Sequence, residues 1–231
     1  MRKILIGLSA ALALLVGTVS AFAENGFGVG VALSQAKLST EGSEVETGSQ
    51  SAETNRVNDV QNSFAIGSIF AEYTYGWLTL GVDYIPSSAE VSDATHIRND
   101  TETSVTDTAT ATTTARTQKA AAQIKDHTTA YIEIGSALYA KAGFVQVTVD
   151  TDESLATGST YGNVDIEGTL LGVGYKSDWG SNGFIKVEGT FTDYDDISIT
   201  SGVARTGVTT NNVIKADMDA SQLKLGIGYR F

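Results

Sequence analysis

The chain has 231 residues, of which 42% are hydrophobic, 18% are charged, 24 are glycine and one is proline, and it contains no cysteine. The lack of cysteine excludes a disulfide framework and thiolate metal sites. The formal net charge of -12 has the wrong sign for a protein that gains affinity by neutralising phosphates, so we expect no nucleic-acid partner.

The first 23 residues have the features of a cleaved secretory signal. Arg2 and Lys3 give a basic start, and residues 4–16 form an apolar stretch that is too short to span a bilayer. Ala21-Phe22-Ala23 then supplies small residues where signal peptidase requires them. A short N-terminal membrane anchor is the alternative. We predict a signal peptide at 1–23 and one mature domain at 24–231.

From Gly26 onward, apolar residues alternate with small or polar residues at a period of two, which is typical of β-strands. The alternation predicts eight strands: one from Gly26, then 63–74, 77–85, one ending at 134, 138–149, 166–176, 183–192, and one ending at 231. Short turns separate three pairs of strands, and four long polar stretches separate the others: 39–62, 86–117, 150–165 and 193–216.

This alternation of short and long connections, with an even number of strands, indicates a closed up-and-down barrel of the bacterial outer membrane. Hydrocarbon offers no hydrogen bonds to an unpaired backbone, so a spanning sheet must close on itself. We therefore predict an all-β fold, an eight-stranded antiparallel transmembrane β-barrel. The Thr-rich run at 101–117 either extends one hairpin above the membrane or is disordered.

In a closed barrel one parity of side chains faces lipid and the other parity fills the lumen. Charged residues are assigned to the lumen, where seven of them are predicted to form a structural network of paired charges: Glu72, Asp83, Glu133, Lys141, Lys186, Glu188 and Lys224. Since the interior of an eight-stranded barrel is about wide enough for its own side chains, we expect a filled lumen. A proton path or narrow ion pathway is the alternative.

Aromatic residues lie mainly near the short turns and the C-terminus, as at one membrane–water interface: Tyr73, Tyr75, Trp77, Tyr139, Tyr175, Trp179, Tyr229 and Phe231. Signal cleavage would leave the N-terminus in the periplasm. We therefore expect the short turns in the periplasm and the long loops outside the cell.

The signal peptide, the eight alternating strands and the C-terminal segment 225–231 make the chain resemble outer-membrane β-barrel proteins of the OmpA, OmpX and OmpW type. The resemblance implies the outer membrane of a Gram-negative bacterium, with its lipid as surroundings. It also implies that the barrel-assembly machinery recognises a C-terminal signal formed by alternate residues: Leu223, Leu225, Ile227, Tyr229 and Phe231.

The leading functional hypothesis is a non-enzymatic barrel that contributes to envelope structure and presents long acidic loops as an adhesion or receptor surface. The alternative is an OmpW-like conduit for small hydrophobic molecules, or a narrow ion channel. The lumen separates the two hypotheses, because a conduit needs an apolar cavity that opens sideways between strands.

Other motifs favour neither catalysis nor a cofactor. His127 follows Asp126, but no serine stands where a nucleophile would need it, so we predict no catalytic residue. The glycine runs lack the spacing and the helix of a dinucleotide site, and we expect them to make room for bulky neighbours in the lumen. We predict no resident metal, although Asp193, Asp195 and Asp196 leave divalent cations open as partners of the acidic loops.

Overall fold

A computed structural model describes residues 25–47, 52–90, 96–104, 112–154, 160–202 and 211–231. The predicted signal peptide at 1–23 lies outside these residues. Eleven strands are present in the described part: β1 Gly26–Thr47, β2 Ala52–Tyr75, β3 Leu78–Ile85, β4 Ala89–Glu90, β5 His96–Ser104, β6 Thr112–Gly135, β7 Leu138–Ser154, β8 Val164–Trp179, β9 Gly183–Tyr194, β10 Ile197–Thr200 and β11 Val213–Arg230. A search of the same residues finds no helix long and apolar enough to cross a membrane.

The strands form one closed antiparallel ring. The order around it is β1-β2-β3-β6-β7-β8-β9-β11, and β11 pairs back onto β1. The short strands β4 and β5 pair with β6 above the end of β3, and β10 pairs with β11 above the end of β9. They therefore extend the places of β3 and β9 in the ring and add no new place to it. The predicted eight-stranded antiparallel barrel is confirmed.

The strands are longer than the sequence predicts, and the polar stretches assigned to loops are largely strand. β1 continues to Thr47 and β2 begins at Ala52, so most of the stretch 39–62 is a paired hairpin. The Thr-rich run likewise contributes to a backbone hairpin, in which β5 pairs with β6 as far as Ser104↔Thr112, while residues 105–111 lie outside the described part. Hydrophobic alternation in the sequence marks only the part of a strand that faces lipid. A polar strand can continue its backbone hydrogen bonds in water without such alternation, so its length was underestimated.

The lower part of the barrel, next to the short turns, is apolar on its outer face. We call it the membrane section. We place its upper limit at one outward residue on each ring strand: Leu33, Ile69, Tyr84, Ala130, Phe144, Leu171, Phe191 and Leu223. The outward parity predicted for the last strand is exposed at every position, with Phe231 73% and Leu223 63% exposed. The predicted division into lipid-facing and lumen-facing parities is confirmed there.

We call the part above this limit the outer section. There the outer face of the barrel is polar and the inner face is apolar. On β1 the outward side chains become Gln35 and Lys37, while Leu38 on the inner face is 1% exposed. A buried apolar cluster fills the interior from the top of the membrane section upward: Leu38, Ile124, Val145, Val147, Val149, Ile166, Leu170, Tyr194, Ile197, Met218 and Ala220.

Glycines on the inner face make room for aromatic rings from neighbouring strands. A Cβ added at Gly81 would lie 2.3 Å from Cζ of Tyr131, and one added at Gly174 would lie 2.4 Å from Cζ of Tyr139. Phe70 and Phe184 similarly occupy the space above Gly30 and Gly228. The expectation that lumen glycines accommodate bulky neighbours holds at these positions, because any larger residue would overlap a ring.

Candidate functional site

The lumen of the membrane section is filled with charged side chains. All seven residues assigned to the lumen network from the sequence are buried, none more than 8% exposed. They come from six strands: Glu72 on β2, Asp83 on β3, Glu133 on β6, Lys141 on β7, Lys186 and Glu188 on β9, and Lys224 on β11. The alternation of each strand therefore brings charges from around the ring to one axis.

Lys186 lies at the centre of this network. Its Nζ is 2.9 Å from Glu72 Oε2, 2.6 Å from Glu133 Oε1 and 3.0 Å from Glu188 Oε1. A single ammonium thus bridges three carboxylates that belong to three different strands. Such an arrangement compensates the cost of burying the charges only while every partner stays in place.

Two further lysines complete the charge balance. Lys141 Nζ lies 3.0 Å from Glu188 Oε2 and 3.2 Å from Oε1, the oxygen that Lys186 also contacts. Lys176 Nζ lies 2.6 Å from Glu72 Oε1 and 3.1 Å from Glu133 Oε2. The sequence analysis missed Lys176, although it shares the inward parity of Gly172 and Gly174 on β8 and could have been found from it.

Two tyrosines add hydrogen bonds to carboxylate oxygens that Lys186 also contacts. The Tyr131 hydroxyl donates to Glu72 Oε2 at 3.2 Å, and the Tyr139 hydroxyl donates to Glu188 Oε1 at 2.7 Å. Lys141 Nζ also lies 3.7 Å from the centre of the Tyr131 ring, within the range of a cation–π contact. The rings that occupy the space above the glycines therefore also take part in the charge network.

A second charged layer lies toward the outer section. Lys224 Nζ is 2.9 Å from Asp83 Oδ2, which also accepts a hydrogen bond from Ser68 Oγ at 3.1 Å. At the opposite end, near the short turns, Arg230 Nη1 lies 3.2 Å from Asp178 Oδ1 beside a vestibule of about 260 Å³.

The charged layers leave no water-filled path between them. The remaining space among Ala32, Phe70, Lys186, Glu188 and Lys224 has no room for a water molecule. An ion crossing this level would have to displace side chains that are held by several partners. The geometry therefore resembles a plug of paired charges, with the vestibule below it lined by residues at and near the short turns.

His127 lies above the second charged layer, at an irregularity in β6. Lys125 pairs with Thr148 and Thr128 pairs with Gln146, so Asp126 and His127 together face one residue of β7. Asp126 adopts a positive φ of 52°. His127 keeps the inward parity of Thr129, and above the β-bulge the inward parity passes from the odd-numbered residues to Ile124.

The hydrogen bonds of His127 differ from those of a hydrolase. Its Nε2 lies 3.2 Å from the hydroxyl of Tyr194, and its buried Nδ1 makes no hydrogen bond to another described residue. A nucleophile and base pair would join the ring to a serine, threonine or cysteine and to an orienting group. The partner found here is the phenol of Tyr194. That the protein has no catalytic residue stays a prediction.

A small chamber of about 30 Å³ lies next to His127. Its wall is mainly apolar, with Ser87, His127, Tyr194 and Gln222 as polar members. The apolar part comes from four strands, together with Ile85 at the end of β3: Ala36, Leu38, Phe64, Ile66, Ile124 and Ala220.

The chamber lies behind a gap in the ring of strand pairing. The ladder between β2 and β3 runs from Tyr75↔Leu78 up to Ile69↔Tyr84, and in the described part of the chain it ends there. Phe64 and Ile66 line the chamber from the β2 side of the gap, and Ile85 and Ser87 line it from the β3 side. We call this gap the lateral seam; it lies at the top of the membrane section.

The remaining predicted residues are placed as follows. The five residues of the proposed assembly signal lie on the outer face of β11 and at the C-terminus, and their recognition stays a prediction. Asp193, Asp195 and Asp196 are exposed near the junction of β9 and β10. Over the described ranges, no group of three or more His, Cys, Asp or Glu side chains is arranged to hold a metal ion.

Comparison with known proteins finds similarity in solved structures but not in sequence families. No protein-family model matches the chain, and no curated protein matches it significantly. The outer membrane protein OprG from Pseudomonas aeruginosa is 12% identical, with a TM-score of 0.48 over 87% of this chain and 96% of that one.

Two other solved structures show a comparable likeness. AlkL in lipid bilayers is 11% identical, with a TM-score of 0.48 over 93% of this chain and 94% of that one. Neisserial surface protein A is 13% identical, with a TM-score of 0.41 over 89% and 97%. At such values the likeness carries no inference about function. The closed eight-strand ring with an apolar outer belt is itself the architecture of the small outer-membrane barrels that the sequence resembles.

Proposed function

We propose that this protein is a non-enzymatic outer-membrane barrel with a sealed lumen, which stabilises the envelope and presents an acidic surface outside the cell. The filled lumen carries the proposal: Lys186 bridges three buried glutamates, and the space beside it is too small for a water molecule. A general diffusion pore needs an open aqueous channel at this level.

The membrane orientation is supported by the two ends of the barrel. Aromatic side chains ring the end with the short turns, where Tyr75, Trp77 and Trp179 are each more than 60% exposed. The first and last strands also meet at this end, since Phe231 N donates to Phe27 O. Placing this end in the periplasm directs the outer section away from the cell.

The outer section supports the surface role because its outer face is acidic. Where the structure describes side chains of this section, the lysines with exposed ammonium-bearing chains are Lys37, Lys125 and Lys215, whereas the exposed carboxylates are more numerous: Glu41, Asp126, Asp165, Glu167, Asp193, Asp195, Asp196 and Asp217. Paired strands hold most of these charges in fixed positions, so the surface is preformed. Such a surface favours cationic partners and repels anionic ones.

Planar-bilayer recording tests the sealed lumen. We expect purified protein to produce no conductance steps above the bilayer background, while a shift in gel mobility on boiling verifies that the barrel is folded. Salt-dependent discrete steps from the folded form would contradict the sealed lumen and favour a narrow ion channel.

Adhesion of intact cells tests the surface role. Cells producing a variant with Glu41→Gln, Glu167→Gln, Asp193→Asn and Asp217→Asn should bind a polycationic surface less well than cells producing the parent protein. A matched variant with Lys37→Gln and Lys215→Gln should bind at least as well as the parent. Equal adhesion of cells producing the parent protein and either variant would show that the acidic surface does not determine binding to the polycation.

A second candidate function is lateral passage of small hydrophobic molecules between the outer section and the lipid. One observation favours it: an apolar chamber lies behind the lateral seam, where the β2–β3 ladder ends at Ile69↔Tyr84. This route avoids the charged plug, so a sealed lumen and lateral passage are compatible. The chamber of about 30 Å³ is small, and passage would require Phe64 or Ile85 to move.

Uptake into proteoliposomes tests lateral passage. A fluorescent hydrophobic probe should enter vesicles that contain the protein faster than protein-free vesicles. Ile66→Trp, which fills the seam, should remove the difference, whereas Ile69→Trp on the lipid-facing side of β2 should not. Equal uptake with both variants would exclude the seam as the route.

A further inference from the structure

We propose that the vestibule next to the short turns binds the carboxylate end of a small, singly charged molecule, and that Arg230 holds this group. The proposal goes beyond the proposed function, because a sealed barrel with an acidic outer surface needs no ligand at its opposite end. In the orientation proposed above, the ligand would come from the periplasm.

Arg230 is a buried cation whose hydrogen-bonding capacity is largely unused. Its side chain is 9% exposed, and its guanidinium carbon lies 5.3 Å from the centre of the Phe184 ring. Among the described residues, the guanidinium donates to Asp178 Oδ1, from Nη1 at 3.2 Å. A guanidinium has five N–H donors. Because Arg230 lines the vestibule, its other donors are available to a ligand there.

The charges around Arg230 favour an anion. In the part of the lumen that the structure describes, the plug and the second charged layer are balanced without Arg230, with four carboxylates and four lysines: Glu72, Asp83, Glu133, Glu188, Lys141, Lys176, Lys186 and Lys224. Arg230 is therefore an additional buried cation, and the side chain of its partner Asp178 is 47% exposed. Since solvent screens a half-exposed carboxylate, a second anion against the guanidinium would stabilise this charge.

The vestibule fits a carboxylate better than a phosphate. Two parallel N–H groups of a guanidinium match the two oxygens of a carboxylate, and such charge-assisted hydrogen bonds are strong. Glu133 and Asp178 also line the vestibule. A doubly charged phosphate would be repelled by these two carboxylates more strongly than a singly charged group. The chemistry of the lining therefore favours a monocarboxylate.

Two threonine hydroxyls add a neutral donor on the β2–β3 side of the vestibule. Thr74 Oγ1 and Thr79 Oγ1 lie 3.0 Å apart, and both residues line the vestibule. One hydroxyl donates to the other, so the accepting hydroxyl keeps its own hydrogen for a ligand. Gly26 pairs with Thr74 on β1, and a Cβ added there would lie 3.3 Å from Arg230 Cγ. The missing side chain leaves space between the threonines and Arg230 at this position.

The size of the vestibule fits a small ligand that binds but does not pass through. Its volume of about 260 Å³ is the share of liquid that about nine water molecules occupy, which is enough for a carboxylate on a group the size of an amino acid. Ala137, Ser177 and Asp178 are exposed at the short-turn end, so a ligand can enter there. Above the vestibule, the space beside Lys186 has no room for a water molecule. The site is therefore compatible with a sealed lumen.

Arginine NMR in lipid nanodiscs tests the site. In protein labelled with ¹⁵N-arginine, the Nε signal of Arg230 is the one that an Arg230→Lys variant lacks. N-acetyl-alanine should shift this signal in a saturable manner, whereas N-acetyl-alaninamide, which has a similar shape without the charge, should not. No shift with the acid, or an equal shift with the amide, would overturn the proposal.

Acetate distinguishes the two sources of such a carboxylate. Tighter binding of N-acetyl-alanine than of acetate would support the end of a peptide as the ligand. Equal affinity of the two would support a free small acid, held through its carboxylate alone. Binding of inorganic phosphate in preference to both acids would contradict the choice of a monocarboxylate.

Substitutions at the ion pair provide a second measurement, by calorimetry in the same nanodiscs. Arg230→Gln should weaken binding of N-acetyl-alanine about tenfold or more. Asp178→Asn removes a competing anion and should strengthen binding about threefold. Lys37→Gln, on the exposed face of the outer section, is the control and should leave the affinity unchanged.

The two variants of the ion pair keep the proposal falsifiable. A shift in gel mobility on boiling verifies that each variant is folded. Unchanged binding in folded Arg230→Gln would overturn the proposal. Weaker binding in folded Asp178→Asn would also overturn it, and this variant decides the question if Arg230→Gln does not fold.

Discussion

The two sections of the barrel are built from the same strands but have opposite distributions of apolar side chains. The membrane section is apolar outside and polar inside, and the outer section is polar outside and apolar inside. In the membrane section β1 presents Leu33 to lipid and Ser34 to the lumen, and a few residues further on it presents Lys37 to water and Leu38 to the interior. The parity of the strand does not change between these points. The backbone decides which residues share a face, and the solvent on each side decides what those residues must be.

Each section has its own source of cohesion. The outer section has an apolar core, as a water-soluble β-protein does, and gains from removing that surface from water. In the membrane section lipid already surrounds the apolar side chains, so their burial against protein gains little. There the interior is held by ion pairs and hydrogen bonds, which the surrounding hydrocarbon does not replace.

Removal of the central cation should have the largest effect. Lys186→Ala leaves Glu72, Glu133 and Glu188 without their shared partner. Loss of one member of a buried ion pair costs about 3–5 kcal/mol, and we expect a destabilisation of that size. Denaturant unfolding in phospholipid vesicles, followed by tryptophan fluorescence, measures it. Lys37→Ala on the exposed face is the control, and equal costs would mean that the lumen charges are solvated.

Loss of volume in the outer core should cost slightly less. Leu38→Ala creates a cavity at a side chain that is 1% exposed, and we expect a loss of about 3 kcal/mol in the same unfolding experiment. Leu33→Ala removes a side chain that faces lipid, and lipid can fill the space, so its cost should be clearly smaller. The comparison fails if the two substitutions on β1 cost the same.

A cation on the outer face distinguishes the sections directly. Leu225→Arg places a charge in the apolar belt, and we expect it to cost about 2 kcal/mol. Ser221→Arg has the same parity on β11 but lies above the belt, where water can solvate the guanidinium. Refolding yield into vesicles and unfolding free energy should both separate the two variants; a costly Ser221→Arg would place the bilayer higher on the barrel than we propose.

Filling the space that a lumen glycine leaves for a neighbouring ring should also reduce stability by a measurable amount. In Gly81→Ala the new methyl would overlap the Tyr131 ring, and we expect a loss of about 1–2 kcal/mol. Gly189→Ala is the matched control, because a Cβ there meets nothing within 4 Å. A Gly81→Ala protein as stable as the parent, by the same unfolding assay, would show that Tyr131 can move without cost.

An ion pair of the outer section should contribute least. Lys125 pairs with Asp150, but its side chain is 42% exposed. Pairs of this kind contribute about 0.2–1 kcal/mol, and less at high salt. Lys125→Ala should therefore change the unfolding free energy by no more than about 0.5 kcal/mol at low ionic strength. A cost near that of Lys186→Ala would indicate that exposed and buried pairs do not differ here.

Much of the membrane section could be predicted from the sequence. Hydrocarbon enforces strict alternation, so the apolar parity of the last strand and the inward position of Glu133 followed from the pattern alone. Lys176 was overlooked because it ends an alternating segment. The strands of the outer section were predicted as loops for a physical reason. Polar strands in water need not alternate in hydrophobicity, so the part of β1 that continues to Thr47 has a sequence pattern like that of a loop.

The sequence by itself determined the number of ring strands, the inward face of seven lumen charges and the sign of each of these charges, because a two-residue period and the cost of a charge in lipid are local properties. Only the tertiary structure decided that Lys186 bridges three glutamates, that the β2–β3 ladder ends at Ile69↔Tyr84 and that His127 faces a chamber. These depend on the stagger between strands that are distant in sequence, which is fixed only when the ring closes.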